Sequence, residues 1–85
     1  MNLPKNIQFT QLVKCEGKQR EFNFLRRNAA GSPFYHVDTS DLQGNRYQFN
    51  MDRGTEGWKI RDRALPVWIL EVESLLADLI DEQEG

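Results

Sequence analysis

Cysteine and histidine are almost absent from this chain, whose 85 residues include one of each, Cys15 and His36. A single cysteine forms no internal disulfide, which excludes a small secreted protein held together by such bonds. The pair also falls short of a zinc ligand set within one chain, and no segment has the oxygen-ligand spacing of a calcium loop. The sequence therefore predicts no metal site, and we expect no cofactor.

Long hydrophobic runs are also missing. No segment approaches the ~18–20 apolar residues that cross a bilayer, and residues 1–5 lack the apolar stretch of a signal peptide. A hydrophobic content of 39% with 11% aromatics is still sufficient for one small core. We expect a single domain over residues 1–85, cytoplasmic and without membrane contact.

Basic residues are absent from the C-terminal quarter. Residues 1–63 hold eleven Lys and Arg against seven acids, a net charge of +4, whereas residues 64–85 hold six acids alone, a net charge of −6. Together they give the net charge of −2. Such a division is typical either of two separate partner surfaces or of two solvated faces that keep the chain soluble.

Alternating apolar and polar residues predict four or five antiparallel strands, at about 7–15, 19–27, 34–40, 46–52 and 58–61. Glu16-Gly17-Lys18 predicts a hairpin turn, while residues 28–33 and 53–57 have the composition of loops. The period then changes to that of one helix over about 66–82, with Pro66 at its start. The fold class is α+β: a two-layer meander with one C-terminal helix on one sheet face.

The helix is apolar around much of its circumference. Val67, Leu70 and Ala77 lie beside the main apolar stripe, which indicates either a homodimer, formed through the helices or through a sheet edge, or a curved sheet that covers more of the helix. Three acids, Asp81, Glu82 and Glu84, crowd its C-terminal end, where the helix dipole disfavours them. Burial must therefore stabilise this helix, and we expect its last residues to fray.

Catalytic motifs are weak. His36, Asp38 and Ser40 alternate on one strand and so face one way, but this spacing seldom gives the contacts of a catalytic triad. Gly54-Thr55-Glu56-Gly57 matches a backbone-clamping GxxG loop, yet it follows a strand and carries an acid, so it indicates a turn. Cys15 faces inward, where burial makes a thiol inert. We expect a protein that is not an enzyme.

The outer sheet face is polar and predominantly basic. By alternation it carries two acids, many amides and five basic residues: Lys14, Arg27, Arg46, Lys59 and Arg61. Such a face suits a phosphate backbone, although a wet antiparallel face is polar in any case. The same alternation predicts an apolar inner face made of Ile7, Phe9, Val13, Phe22, Phe24, Tyr35, Val37, Tyr47, Phe49, Met51, Trp58 and Ile60. Almost every aromatic residue points inward, and Phe34 is the one expected exception.

A family resemblance bears on whether the outer face binds nucleic acid or is only solvated. Residues 17–24, Gly-Lys-Gln-Arg-Glu-Phe-Asn-Phe, look like the glycine-basic-aromatic start of the second strand of a PUR domain, and Trp58 to Ile80 is similar in kind to its final strand and helix. The chain thus resembles the PUR-domain and Whirly group of single-strand nucleic-acid binders over nearly its whole length, mainly in the order of its elements. The resemblance implies an obligate dimer whose sheet binds single strands through the five basic residues named above. The scarcity of outward aromatics and the acidic balance depart from that pattern.

Two functions follow as expectations. The first is a small non-enzymatic domain that acts by binding a protein partner or a second copy of itself. The alternative is single-strand nucleic-acid binding by the outer sheet face.

Overall fold

The computed structural model describes residues 7–84 of the chain. Its five strands are β1 (Gln8–Cys15), β2 (Lys18–Ala29), β3 (Ser32–Ser40), β4 (Arg46–Gly54) and β5 (Gly57–Ile60). They form one antiparallel sheet in the order β1-β2-β3-β4-β5, which confirms the predicted meander. Each strand therefore pairs with its neighbour in the chain.

The turns are tighter than the composition predicts. The predicted loop over residues 28–33 is a two-residue turn at Ala30 and Gly31, because Asn28 and Ala29 continue the ladder opposite Pro33 and Ser32. Ala30 and Gly31 both have positive φ angles, 52° and 82°, the backbone of the type I′ turn whose twist matches the flanking strands. The predicted loop over 53–57 likewise shortens to a turn between Gly54 and Gly57, which are paired.

The predicted inner face is confirmed as the core. Twelve of its side chains are buried or packed against the buried cluster: Ile7, Phe9, Val13, Phe22, Phe24, Tyr35, Val37, Tyr47, Phe49, Met51, Trp58 and Ile60. Cys15 and Thr39 are also buried, each 2% exposed. One face of the curled sheet therefore packs under the C-terminal helical segment, as a two-layer α+β fold requires.

The single predicted helix over 66–82 is interrupted. It consists of α1 (Val67–Leu70) and α2 (Glu73–Glu84), and Pro66 precedes the first turn. Between them the Val72 N–H donates to the Ile69 carbonyl at 3.1 Å, a bond between residues three apart that tightens the chain. Ile69, Leu76 and Ile80 are buried at the seven- and four-residue spacing of one helix face, so the apolar stripe continues across the interruption, while Leu75 remains 44% exposed.

Two acidic residues tie the ends of α2 to the sheet. At its start, Glu73 Oε2 accepts the Ile60 N–H at 2.7 Å and pairs with Arg63 at 2.7 Å. In its last turn, Glu84 Oε2 accepts from Arg26 Nε at 2.8 Å and from the Tyr35 hydroxyl at 2.6 Å. The helix therefore extends two residues beyond its predicted end at about 82, to Glu84, which has partners on β2 and β3 that the sequence did not identify.

Candidate functional site

One row of side chains crosses four strands on the outer sheet face. The register places Arg27 on β2 opposite Phe34 on β3, Phe34 opposite Asp52 on β4, and Asp52 opposite Lys59 on β5. We call these four residues the Phe34 row. Phe34 is the one aromatic side chain on the outer face of residues 7–84, as the alternation predicts, and it is half-buried.

Two shallow cavities adjoin at this end of the sheet. The first, here called the Phe34 cavity, has a volume of about 210 Å³ and is lined by Ala29, Ser32, Pro33, Phe34, Asp52, Arg53 and Arg61. The second measures about 280 Å³ and is lined by His36, Gln48, Phe49, Asn50, Arg61 and Asp62. Arg61 lines both, so the two cavities share a cationic side chain.

Asp52 is the acidic member of the Phe34 row, and its two carboxylate oxygens differ in their hydrogen bonding. Arg61 Nε donates to Asp52 Oδ2 at 2.6 Å. Asp52 Oδ1 is shielded from solvent and has no hydrogen-bond partner among the described residues. A shielded acceptor without a partner is unfavourable. The lining of the Phe34 cavity thus combines an aromatic ring, two arginines and the Asp52 carboxyl group.

Asp52 also corrects the predicted charge of the outer face. The two acids predicted for this face are Glu21 and Asp38, and Asp52 is not among them although the predicted strand over 46–52 includes it. The register puts Asp52 on the same face. The face therefore carries three acids against five basic residues, and alternation along the predicted strand already indicates the third.

The five predicted basic residues do not form one group. Arg27, Lys59 and Arg61 lie in or beside the Phe34 row. Lys14 lies at the opposite end of the sheet, paired with Gln19 on β2. Arg46 forms an ion pair of 3.4 Å with Asp38. The structure thus brings three of the five together and leaves two elsewhere on the face.

Hydrogen bonds between neighbouring strands occupy the rest of the outer face. Asn23 accepts from Thr10 at 2.6 Å and donates to Asp38 Oδ1 at 2.9 Å. His36 Nδ1 lies 3.0 Å from Asn50 Oδ1. His36 and Asp38 therefore bond to different partners, and the three alternate residues of β3 do not form a triad.

The groups with shifted pKa values lie away from the Phe34 row. Burial raises the pKa of the Cys15 thiol, in agreement with its predicted inward position. Burial and the hydrogen bond to Glu84 raise the pKa of Tyr35. The hydrogen bond from the Asn45 side chain is the main cause that lowers the pKa of Asp41, whose carboxylate organises the β3–β4 loop. Each shift is explained by a structural contact.

The three residues predicted for self-association do not form one exposed patch. Val67 is 67% exposed, but Leu70 and Ala77 are half-buried and pack against the core. The buried core therefore covers part of the broad apolar surface of the helix. The helix alone therefore offers Val67 and Leu75 as separate exposed apolar side chains.

Residues 7–84 contain no cluster of three or more His, Cys, Asp or Glu side chains arranged to hold a metal ion. Neither helix in this part of the chain is long and apolar enough to cross a membrane. Comparison with family models, curated proteins and solved structures finds no match to this chain. Its function must therefore be inferred from the geometry of the site.

Proposed function

We propose that this chain is a small binding domain, not an enzyme, and that its outer sheet face binds single-stranded nucleic acid at the Phe34 row. The observation that carries this proposal is the position of Phe34 between basic residues, with Arg27 on the adjacent strand and Lys59 two strands away. Aromatic side chains stack on unpaired bases, and flanking cations contact the backbone phosphates. The lone cysteine supports a cytoplasmic location for such a protein.

The Phe34 cavity supports a single strand over a duplex. A base stacked on Phe34 would bring its hydrogen-bonding edge near the Asp52 carboxylate, which lies opposite Phe34 and lines the same cavity. A carboxylate oxygen accepts from the amino group of cytosine and from other base N–H donors. These edges are available for such contacts in a single strand, whereas in a duplex the pairing edges are occupied.

The test measures binding of fluorescein-labelled single-stranded oligonucleotides by anisotropy, at several salt concentrations. We expect affinity to fall as salt rises, because basic side chains displace counterions from the phosphates. Lys59→Ala should weaken binding and reduce the salt slope by about 1. Lys18→Ala is the matched control, since Lys18 is an exposed lysine beside the β1–β2 turn, away from the row.

Stacking is tested by changing the ring itself. Phe34→Leu keeps an apolar side chain but removes the aromatic face, and we expect a loss of about 1–3 kcal/mol in binding, or about 5- to 150-fold. Phe34→Tyr keeps the ring and should bind within a few-fold of the native protein. Equal affinity of the Phe34→Leu, Lys59→Ala and native proteins would refute the proposal.

A further inference from the structure

The β1 strand forms an open edge of the sheet. Within residues 7–84 it pairs only with β2. The Arg26 N–H donates to the Ile7 carbonyl at 2.8 Å, so the odd-numbered residues of this edge direct their backbone groups toward β2. Because that direction alternates along an antiparallel strand, four residues direct theirs away from the sheet: Gln8, Thr10, Leu12 and Lys14.

The two edge strands of the sheet differ in how far their outward backbone groups are protected from pairing with another strand. On β5 the carboxylate of Glu73 covers the outward Ile60 N–H. The β1 strand has none of the usual protective features except one charge, Lys14: it lacks proline, and its pairing with β2 runs without a bulge from Gln8 to Cys15. A regular strand of eight residues with a free edge is a template for another strand.

We infer that β1 pairs with β1 of a second copy of this chain, antiparallel, with Gln11 opposite Gln11 at the two-fold axis. In this register Gln8 lies opposite Lys14 and Thr10 lies opposite Leu12. Every outward backbone group from residue 8 to residue 14 then has a partner, with two hydrogen bonds for each such pair. A two-fold pairing of one patch with itself is the commonest arrangement of dimers.

The side chains favour this register. Across the axis Phe9 would face Val13 on the core side, and Thr10 would cover Leu12, which is 60% exposed in one copy. Lys14 would lie opposite the Gln8 amide of the second copy and not opposite a second lysine. A shift of two residues in either direction places Gln11 against an apolar residue and leaves outward groups unpaired at both ends. The strand is therefore self-complementary in one register.

The pairing would join the two outer faces into one surface. Even-numbered residues of both β1 strands lie on the same side of the combined sheet, since side chains alternate along each strand. The two Phe34 rows then face one way, so a single strand long enough to reach both could bind at two sites. The dimer itself does not depend on nucleic-acid binding.

Sedimentation equilibrium with Leu12→Pro tests the backbone bonds. The Leu12 N–H points away from β2, so proline removes a donor to the second copy and none within the sheet. We expect the dimer dissociation constant to rise at least about tenfold, equivalent to 1.4 kcal/mol. Leu12→Thr keeps the N–H and should remain within a few-fold, while circular dichroism verifies that both variants fold.

Cysteine cross-linking tests the register independently of any proline effect. In a non-hydrogen-bonded antiparallel pair the Cα atoms lie about 4.5 Å apart, which permits a disulfide. Gln11→Cys should therefore form a covalent dimer readily under mild oxidation. Gln8→Cys should not, because the two substituted residues would lie far apart along the strands.

Native protein that remains monomeric at high concentration would overturn the inference, even if the edge binds an unrelated chain. Equal cross-linking of the Gln11→Cys and Gln8→Cys variants would overturn the register. Loss of oligonucleotide binding with the dimer intact would count against the proposed function alone.

Discussion

The hydroxyl of Tyr35 on β3 donates a hydrogen bond of 2.6 Å to Glu84 in the last turn of α2. Arg26 on β2 donates to the same carboxylate oxygen at 2.8 Å. An acid at a helix C-terminus is unfavourable on its own because of the helix dipole. The two donors offset this unfavourable interaction and hold the last turn of α2 against the sheet.

Glu84→Gln should lower the free energy of unfolding by about 1–2 kcal/mol, because hydrogen bonds to a charged group are the stronger ones. The Arg26 and Glu84 side chains are 19% and 23% exposed, so solvent screens the interaction between them only to a limited extent. Glu82→Gln removes the same charge from an exposed position of α2. Urea titration should give Glu84→Gln a lower unfolding midpoint than Glu82→Gln. Equal midpoints would contradict the role given to Glu84.

Acid should remove the stabilisation supplied by Glu84 and Glu73. Burial raises the pKa of each carboxyl, but the hydrogen bonds and nearby arginines outweigh it, so both pKa values lie below the usual range. A depressed pKa stabilises the fold above about pH 4.3, the unfolded value, and the contribution disappears as pH falls through the folded value. The stability difference between the native protein and Glu84→Gln should therefore narrow below about pH 4.

Glu73→Ala should cost about 1–3 kcal/mol, since it leaves the Ile60 N–H at the covered sheet edge without its acceptor. Arg63→Ala removes only the partner that is 57% exposed, and should cost under about 1 kcal/mol. Glu71→Ala, at an exposed position between α1 and α2, is the control. Of the three variants, Glu73→Ala should have the lowest midpoint temperature of thermal unfolding. A lower midpoint temperature for Arg63→Ala than for Glu73→Ala would refute this assignment.

Ala30→Asn should raise the free energy of unfolding by about 0.5–1 kcal/mol. Ala30 has a φ of 52°, a left-handed conformation that is unfavourable for alanine and tolerated by asparagine. Ala29→Asn, one residue earlier in β2, places asparagine in an extended strand and should not stabilise the protein. Similar effects from both substitutions would show that the turn geometry is not responsible.

The sequence by itself determined the order of elements and the composition of the core. Alternation placed Tyr47, Phe49 and Met51 on one face because a pleated strand permits no other arrangement. The same alternation indicated that Phe34 faces outward. These features depend on local periodicity, which a single sequence contains in full.

Tertiary structure decided which distant residues meet. The register brought Arg27, Phe34, Asp52 and Lys59 into one row, and α2 docked so that Glu84 reaches Arg26 and Tyr35. The same docking left the Leu75 side chain 44% exposed on α2. Pairing register and docking angle arise from the packing of the whole core, so periodicity along the chain did not reveal them.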